Sequence, residues 1–215
     1  MIPENISIKI INLEHRTDRK DECIKELHEI GLTDDQFKFF VAKLDSDNGA
    51  IGASLSHAKV LSDWLFNEST EYCLVFEDDF HILDSNNFWD PISKVMQYKG
   101  NWNAYLLASN LAIPIEATPL EGIFKVINAQ TASAYLVGRL YAAKLIEVFY
   151  KSAELMRLAK SIPTLSLETT KHFYALDSLW KDLQISGTFW ASWPQLALQR
   201  PSFSDIEQRD VDYKA

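Results

Sequence analysis

No apolar run in this 215-residue chain approaches the roughly 20 residues that cross a bilayer. The longest helical candidate, Arg139 to Lys160, is broken by Arg, Lys and Glu. The opening stretch "MIPENISIKIINLEHR" lacks the basic region and long apolar segment of a secretory signal. Cysteine is scarce too. Cys23 and Cys73 are too few for a disulfide framework, and both sit among apolar neighbours, so they are predicted to be reduced core thiols. These absences predict a cytoplasmic protein with no integral membrane segment, leaving peripheral contact with the inner face of a membrane open. Positive charge is also short: 21 Lys plus Arg stand against 30 Asp plus Glu, a formal charge of −9. Nothing here looks like a general nucleic-acid footprint, which would want a basic face. The charge balance does not exclude an anionic ligand held by a few placed cations or by a metal ion.

What remains is a globular balance, 47% hydrophobic and 24% charged, long enough for one substantial core. There is no internal repeat, low-complexity tract or linker, so one domain is expected over 1–215. Nothing in the sequence specifies an oligomeric state. "ISIKIINL" reads as a buried strand, and a helix follows over about Asp18 to Ile30, with Cys23, Leu27 and Ile30 at helical spacing. "FKFFVA" is the next strand. Strand, helix and strand in that order predict an α/β protein with parallel pairing. A second helix is expected from about Ser54 to Phe66, capped by Ser54, and a strand over Tyr72 to Phe76. "NAYLLAS" is a further strand. "GIFKVINA" and "SAYLVG" read as a strand pair joined by "QT". A long helix then runs from Arg139 towards Lys160, "SIPTLSLETTKHF" reads as a loop, and "ALDSLWKDLQ" as a short helix.

Five short stretches carry chemistry. "INLEHRTDRK" places Asn12, Arg16 and Arg19 where a strand exits, and guanidinium groups grip phosphates through paired hydrogen bonds. A solvated turn before a helix would carry the same residues. "GAIGASLSH" sets Ser54, Ser56 and His57 near an expected helix start, where free N–H groups favour anions; a capped helix with a partly exposed His is the alternative. No Gly-Lys-Ser/Thr follows, so it is not a P-loop. "FEDDF" ends a strand in Glu77, Asp78 and Asp79, at the strand end where open α/β sheets bind ligands. Hard cations prefer such oxygens. Extended alternation would aim Glu77 and Asp79 at one ion and Asp78 at a sugar or an Arg; an acidic turn is the plain alternative. Asp177 in "YALDSLW" is either a helix cap or a separate carboxylate for chemistry. Asp205 in "SFSDIEQRD" means little alone.

In this order the stretches resemble glycosyltransferase family 25, which includes lipopolysaccharide and collagen-type galactosyltransferases. "INLEHRTDRK", "GAIGASLSH", "LVFEDDF", "SAYLVGRLYAAKLI", "ALDSLW" and "FSDI" carry the likeness, from about Ile8 to Ile206. Ala53 stands where the family commonly has Cys, and Ala175–Leu176 replace a Pro-hydrophobic start. The resemblance implies a GT-A-type, Rossmann-like mixed sheet flanked by helices. Its nucleotide-sugar half would span roughly 1–110, its acceptor half roughly 111–206, and a polar tail 207–215. It also implies an inverting hexosyltransferase that moves galactose from UDP-galactose to a glycan such as lipopolysaccharide oligosaccharide, using Mn2+ or Mg2+. In this reading Glu77 and Asp79 hold the metal, and Asn12, Arg16, Arg19, Ser54, Ser56, His57, Asp78 and Asp205 hold the nucleotide sugar. Asp177 is the base, with Asp205 in reserve. Trp180, Trp190 and Trp193 are candidates to line the acceptor cleft, against a plain role in core packing. A catalytically silent nucleotide-sugar or glycan-binding module on the same fold is the alternative.

Overall fold

The computed structural model describes residues 1–45 and 48–201, with two further backbone strands at 202–204 and 209–211. Eight strands form one mixed sheet. In chain order they are β1 (Ile6–Asn12), β2 (Lys38–Val41), β3 (Tyr72–Glu77), β5 (Ala104–Leu106), β6 (Ile113–Ala117), β7 (Ile123–Ile127), β8 (Ala134–Gly138) and β9 (Phe189–Ser192). Their spatial order is β2-β1-β3-β8-β5-β9-β7-β6. β1 pairs in parallel with both β2 and β3, while β8 runs antiparallel between β3 and β5. A small antiparallel pair, β4 (Phe80–Ile82) with β10 (Ala197–Gln199), extends beyond the end of β3.

Both faces of the sheet are covered, which explains why the central strands read as continuous apolar runs. Ile8, Ile10, Leu74 and Phe76 point into one core, with Cys23 and Leu27 of α1 (Thr17–Glu29) and Ile92 and Val95 of α3 (Trp89–Gln97). Ile11, Cys73 and Val75 point into the other. There they meet Leu61 and Trp64 of α2 (Gly49–Asn67), Phe149 of α4 (Arg139–Lys160) and Trp180 of α6 (Leu176–Ser186). Cys23 and Cys73 are free and buried, as their apolar settings implied. No helix among the described residues is long and apolar enough to cross a membrane.

Three local expectations are corrected. Helix α2 starts at Gly49, five residues before Ser54, because the Asn48 side chain accepts from Ala50 N–H and caps it there. "GIFKVINA" and "SAYLVG" do not pair with each other. β7 lies between β6 and β9, and β8 between β3 and β5, so the residues between them form a crossing rather than a hairpin turn. The expected loop over 161–173 contains helix α5 (Leu167–Tyr174), begun by Ser166, whose hydroxyl accepts from Thr169 N–H. The edge strand β6, "IPIEA", carries a proline, a residue that edges tolerate.

One buried charge interrupts β1. Lys9 forms an ion pair with Glu68, which also accepts from the Ser7 hydroxyl at 2.5 Å and from Lys38 at 3.2 Å. Burial alone would raise the Glu68 carboxyl, but the bonds from Lys9, Ser7 and Lys38 outweigh it and hold it at about 2, down from 4.5. A lowered folded-state value gives stability that is complete above 4.5 and is lost as pH falls towards 2. Glu68→Ala would strand the Lys9 ammonium in the core. It is expected to cost roughly 2–3 kcal/mol at pH 7, measured by urea unfolding, and to flatten the acid limb of stability. A change below about 0.5 kcal/mol would show that Lys9 reaches water by another route.

Candidate active site

The site lies where β1, β2 and β3 end together. β3 stops at Glu77, and Asp78 and Asp79 form the turn into β4. The extended alternation expected through these three acids therefore ends at Glu77. Asp78 does not turn away from Asp79: one Arg19 nitrogen donates to Asp78 at 2.6 Å and to Asp79 at 3.3 Å. All three side chains are largely buried. Asn12 Nδ2 donates to the other Asp78 oxygen at 2.8 Å and to the Arg16 carbonyl at 3.1 Å. Arg200 closes the turn from outside, its backbone N–H on the Asp79 carbonyl at 2.7 Å and its guanidinium on the Asp78 carbonyl at 3.2 Å.

Asp79 is the electrostatic outlier. Its Oδ2 accepts from Gln199 Nε2 at 3.1 Å as well as from Arg19, but its Oδ1 is buried without a hydrogen-bond partner among the described residues. Burial first, then the neighbouring Glu77 charge, pushes the Asp79 carboxyl up from 3.8 to about 7, against the pull of Arg19. One guanidinium, closer to Asp78 than to Asp79, does not offset burial plus two adjacent carboxylates. Arg19 itself is held charged: burial opposes its charge, and Asp79 and Asp78 overcome that.

Glu77 faces the same space from the strand side. Its Oε1 accepts from His57 Nε2 at 3.0 Å, and the other ring nitrogen of His57 meets the Tyr135 hydroxyl at 3.0 Å. A cavity of about 140 Å³ lies against Arg19, Glu77, Asp78 and Asp79, walled by the 42–45 loop and by α2. The loop can cross α2 closely because position 52 is glycine. A Cβ there would lie 2.3 Å from the Lys43 carbonyl oxygen. Ser56 pins the same loop, accepting from Lys43 N–H at 2.7 Å and donating to the Gly52 carbonyl at 2.7 Å.

A larger groove of about 830 Å³ adjoins it, and Ala53, Glu77 and Gln199 line both spaces. Asp177 lies in this groove with Asn110, Gln130 and Lys171. It is not a helix cap. Its carboxylate accepts from Thr131 N–H at 3.1 Å. Thr131 holds a left-handed backbone at φ 72°, a costly conformation for a β-branched residue. Helix α6 stabilises that loop. Gln184 satisfies both the N–H and the carbonyl of Ala129 at 2.8 Å, and Trp180 Nε1 adds a bond to the same carbonyl at 2.9 Å. Burial, reinforced by the Glu77 charge, pushes the Asp177 carboxyl above its usual value despite the Thr131 bond.

The structure thus brings Arg19, Ser56, His57, Glu77, Asp78 and Asp79 around one cavity, with Asn12 behind them holding Asp78, and Asp177 to the groove beside it. Other sequence candidates fall elsewhere. Ser54 is fully buried in the α2–α4 contact, donating to the Ala50 carbonyl and sharing a 2.9 Å bond with Ser152. Because α2 starts earlier than expected, Ser54, Ser56 and His57 lie inside the helix, where the backbone N–H groups bond within it, and not at an anion-binding terminus. His57 is wholly buried, not partly exposed. Arg16 lines neither space and grips the exposed Asp18 through two nitrogens. Trp180 and Trp190 belong to the cores, and Trp193, 60% exposed, borders a separate surface groove with Pro194. Asp205 lies outside the described residues. Gln199 and Arg200 had no sequence signal. Only the pairing of β10 with β4 carries them to the acidic turn, 120 residues away in the case of Gln199 and Asp79.

No protein-family model and no curated protein matches the chain. Solved structures do resemble it. A glycosyltransferase involved in glycosylation of the major capsid of PBCV-1 is 12% identical, with 94% of this chain and 96% of that one covered and a TM-score of 0.49. UDP-glucose pyrophosphorylase complexed with UDP-glucose is 9% identical, over 89% and 90%, with a TM-score of 0.48. A mannose-1-phosphate geranyltransferase from Thermus thermophilus is 9% identical, over 91% and 74%, with a TM-score of 0.46. At these identities, and with TM-scores below 0.5, the likenesses establish neither family nor function.

A carboxyl raised to about 7 in the fold contributes stability that is complete below 3.8 and is lost as pH rises through 7. In chelator, Asp79→Asn is expected to melt higher than the parent at pH 8 and close to it at pH 4. A variant that melts lower at pH 8 would mean that the ion pair to Arg19 outweighs the burial of Asp79.

Proposed function

We propose that this protein is a GT-A-type glycosyltransferase that moves a hexose, galactose from UDP-galactose, onto a hydroxyl of a glycan acceptor such as lipopolysaccharide oligosaccharide. The observation that carries this is Glu77. It borders both the acidic cavity at the ends of β1 and β3 and the groove that holds Asp177. A two-substrate transfer needs two adjoining spaces, with a carboxylate available in each. The cavity alone is below the roughly 300–1,000 Å³ usual for small-molecule sites, whereas the adjoining groove lies within it. The donor's diphosphate would sit towards Glu77 and Asp79, and the acceptor would enter along the groove.

The residues suit a divalent cation. Mg2+ and Mn2+ sites commonly use one or two carboxylates and take their other ligands from substrate phosphates and water. The partnerless Asp79 Oδ1 and the Glu77 carboxylate are that donor set. Among the described residues no third acidic, His or Cys ligand joins them, so substrate oxygens would complete the shell. When bound, such a cation supplies charge neutralisation for the departing diphosphate.

The chain's own residues perform the rest. Arg19 and Asn12 fix the Asp78–Asp79 turn so that Asp79 faces the cavity without reorganisation. Asp177, anchored through Thr131 N–H, takes the proton from the acceptor hydroxyl as that oxygen bonds to the anomeric carbon and the bond to UDP breaks. Its raised carboxyl makes it a stronger base than an exposed aspartate. Attack from the face opposite UDP inverts the anomeric centre.

The ion pair of Arg19 with Asp79 favours one other reading, a nucleotide-sugar-binding module in which that acid already has its cation. Turnover separates the two. UDP release from UDP-galactose, dependent on Mn2+ and stimulated by a glycan acceptor, is expected; UDP-sugar binding without turnover across a broad acceptor panel would replace the enzyme with the module. Asp79→Ala should abolish Mn2+-dependent turnover while the fold persists, and full activity would remove it from the metal site. Asp177→Asn should leave UDP affinity within about twofold and lower kcat by roughly 10²–10⁴, the usual contribution of a positioned base. Lost UDP binding instead would assign Asp177 to the donor.

A further inference from the structure

Asp78 is held by Arg19 and Asn12, and Asp79 by Arg19 and Gln199. Glu77 has a single side-chain hydrogen bond among the described residues, to His57. It is also the more accessible carboxylate, its side chain 25% exposed at the junction of cavity and groove. Unheld, it would sample several rotamers there.

His57 is buried completely between the rings of Tyr135, 5.7 Å away and stacked, and Phe149, 5.6 Å away and edge-on. An apolar residue would fill this space without the cost of burying two polar nitrogens. Both nitrogens are engaged in line, Tyr135 hydroxyl to Nδ1 and Nε2 to Glu77. The carboxylate oxygen accepts, so Nε2 carries the proton. In the neutral imidazole Nδ1 is then the acceptor for the Tyr135 O–H. Burial drives that phenol well above its ordinary value, so it keeps the proton it donates. The chain runs from β8 through α2 to the end of β3, and so ties three elements to one carboxylate.

We infer that Tyr135 and His57 are a positioning pair that aims the Glu77 carboxylate into the cavity, without touching the substrate themselves. This replaces the nucleotide-binding role expected of His57, and it rests on the metal reading of Glu77 proposed above. Hydrogen-bond partners of metal-binding carboxylates commonly govern metal affinity by 10–100-fold when removed. The same scale applies here.

Calorimetric affinity for UDP, measured in Mn2+ and again in EDTA, tests the pair. In the parent protein UDP binds more tightly in Mn2+. His57→Leu, which keeps bulk and removes both nitrogens, should weaken the Mn2+-supported affinity by about 10–100-fold and leave the EDTA value unchanged. His57→Gln reaches the Nε2 position with an N–H donor and should recover most of the loss. Tyr135→Phe, which removes only the hydroxyl, should fall between. A purely structural His57 would lower melting temperature without this split, so a His57→Leu protein with the parent's Mn2+ dependence overturns the inference. Should the Leu variant not fold, an unchanged Mn2+ dependence in Tyr135→Phe overturns it equally. A parent protein indifferent to Mn2+ defeats the metal reading itself and this inference with it, an outcome distinct from variant insensitivity in a Mn2+-dependent parent.

Discussion

The buried ion pair between Arg19 and the Asp78–Asp79 turn organises this molecule's reactive edge. Three consecutive acids at a strand end repel one another, and two of them are almost wholly buried. Arg19 makes that arrangement possible, because its guanidinium is charged at any ordinary pH and bonds to both aspartates at once. The cost of burying it is met by the same two carboxylates. Each end of the interaction is anchored in a different part of the fold. Arg19 comes from the first turn of α1, the turn acids from the end of β3, and Arg200 adds the residue that follows β10. Removing Arg19 would leave two carboxylates uncompensated in the interior, which is far more costly than losing the whole cluster outright.

The compensation is incomplete, and that is where function enters. Asp78 is satisfied on both oxygens. Asp79 is not: one oxygen is buried without a partner, and the carboxyl is pushed towards neutrality. A fold tuned only for stability would use an amide at that position. Glu77 stands beside it, held by a single buried imidazole. Carboxylates left under-compensated at the mouth of a cavity have affinity in reserve for a cation or a proton. Across the shared groove, Asp177 is also raised by burial, and it is anchored to a strained Thr131. The two raised carboxyls sit on separate elements, the β3–β4 turn and α6, so a ligand spanning them would reach from the end of β3 to that helix.

Much of this architecture is legible in the sequence. The largely apolar runs at Ile6–Asn12 and Tyr72–Phe76 are strands covered on both faces, with Lys9 a buried exception that Glu68 pairs. The three acids had to follow a strand end. The amphipathic spacing of Cys23, Leu27 and Ile30 placed α1, and the length of Arg139–Lys160 placed α4. Harder positions turned on single side-chain bonds. Asn48 began α2 earlier than Ser54, and that shift moved Ser54, Ser56 and His57 from a terminus to a helix interior. Ser166 converted a loop-like segment to α5. The hairpin reading of "GIFKVINA" and "SAYLVG" failed because two short apolar strands carry no record of which neighbour each will choose.

The sequence by itself determined the α/β class, the reduced cysteines and the clustering of acids at one strand end, all properties of neighbours along the chain. The tertiary structure alone decided what those acids touch. Arg19 reaches Asp78 across 59 positions, Asn12 across 66, and Gln199 reaches Asp79 across 120. Whether a carboxylate is paired, orphaned or steered by an imidazole depends on distances of about 3 Å between such remote residues. Periodicity encodes which face of an element is buried. It does not encode which polar atom waits on the opposite side, and that atom decides the charge state of the site.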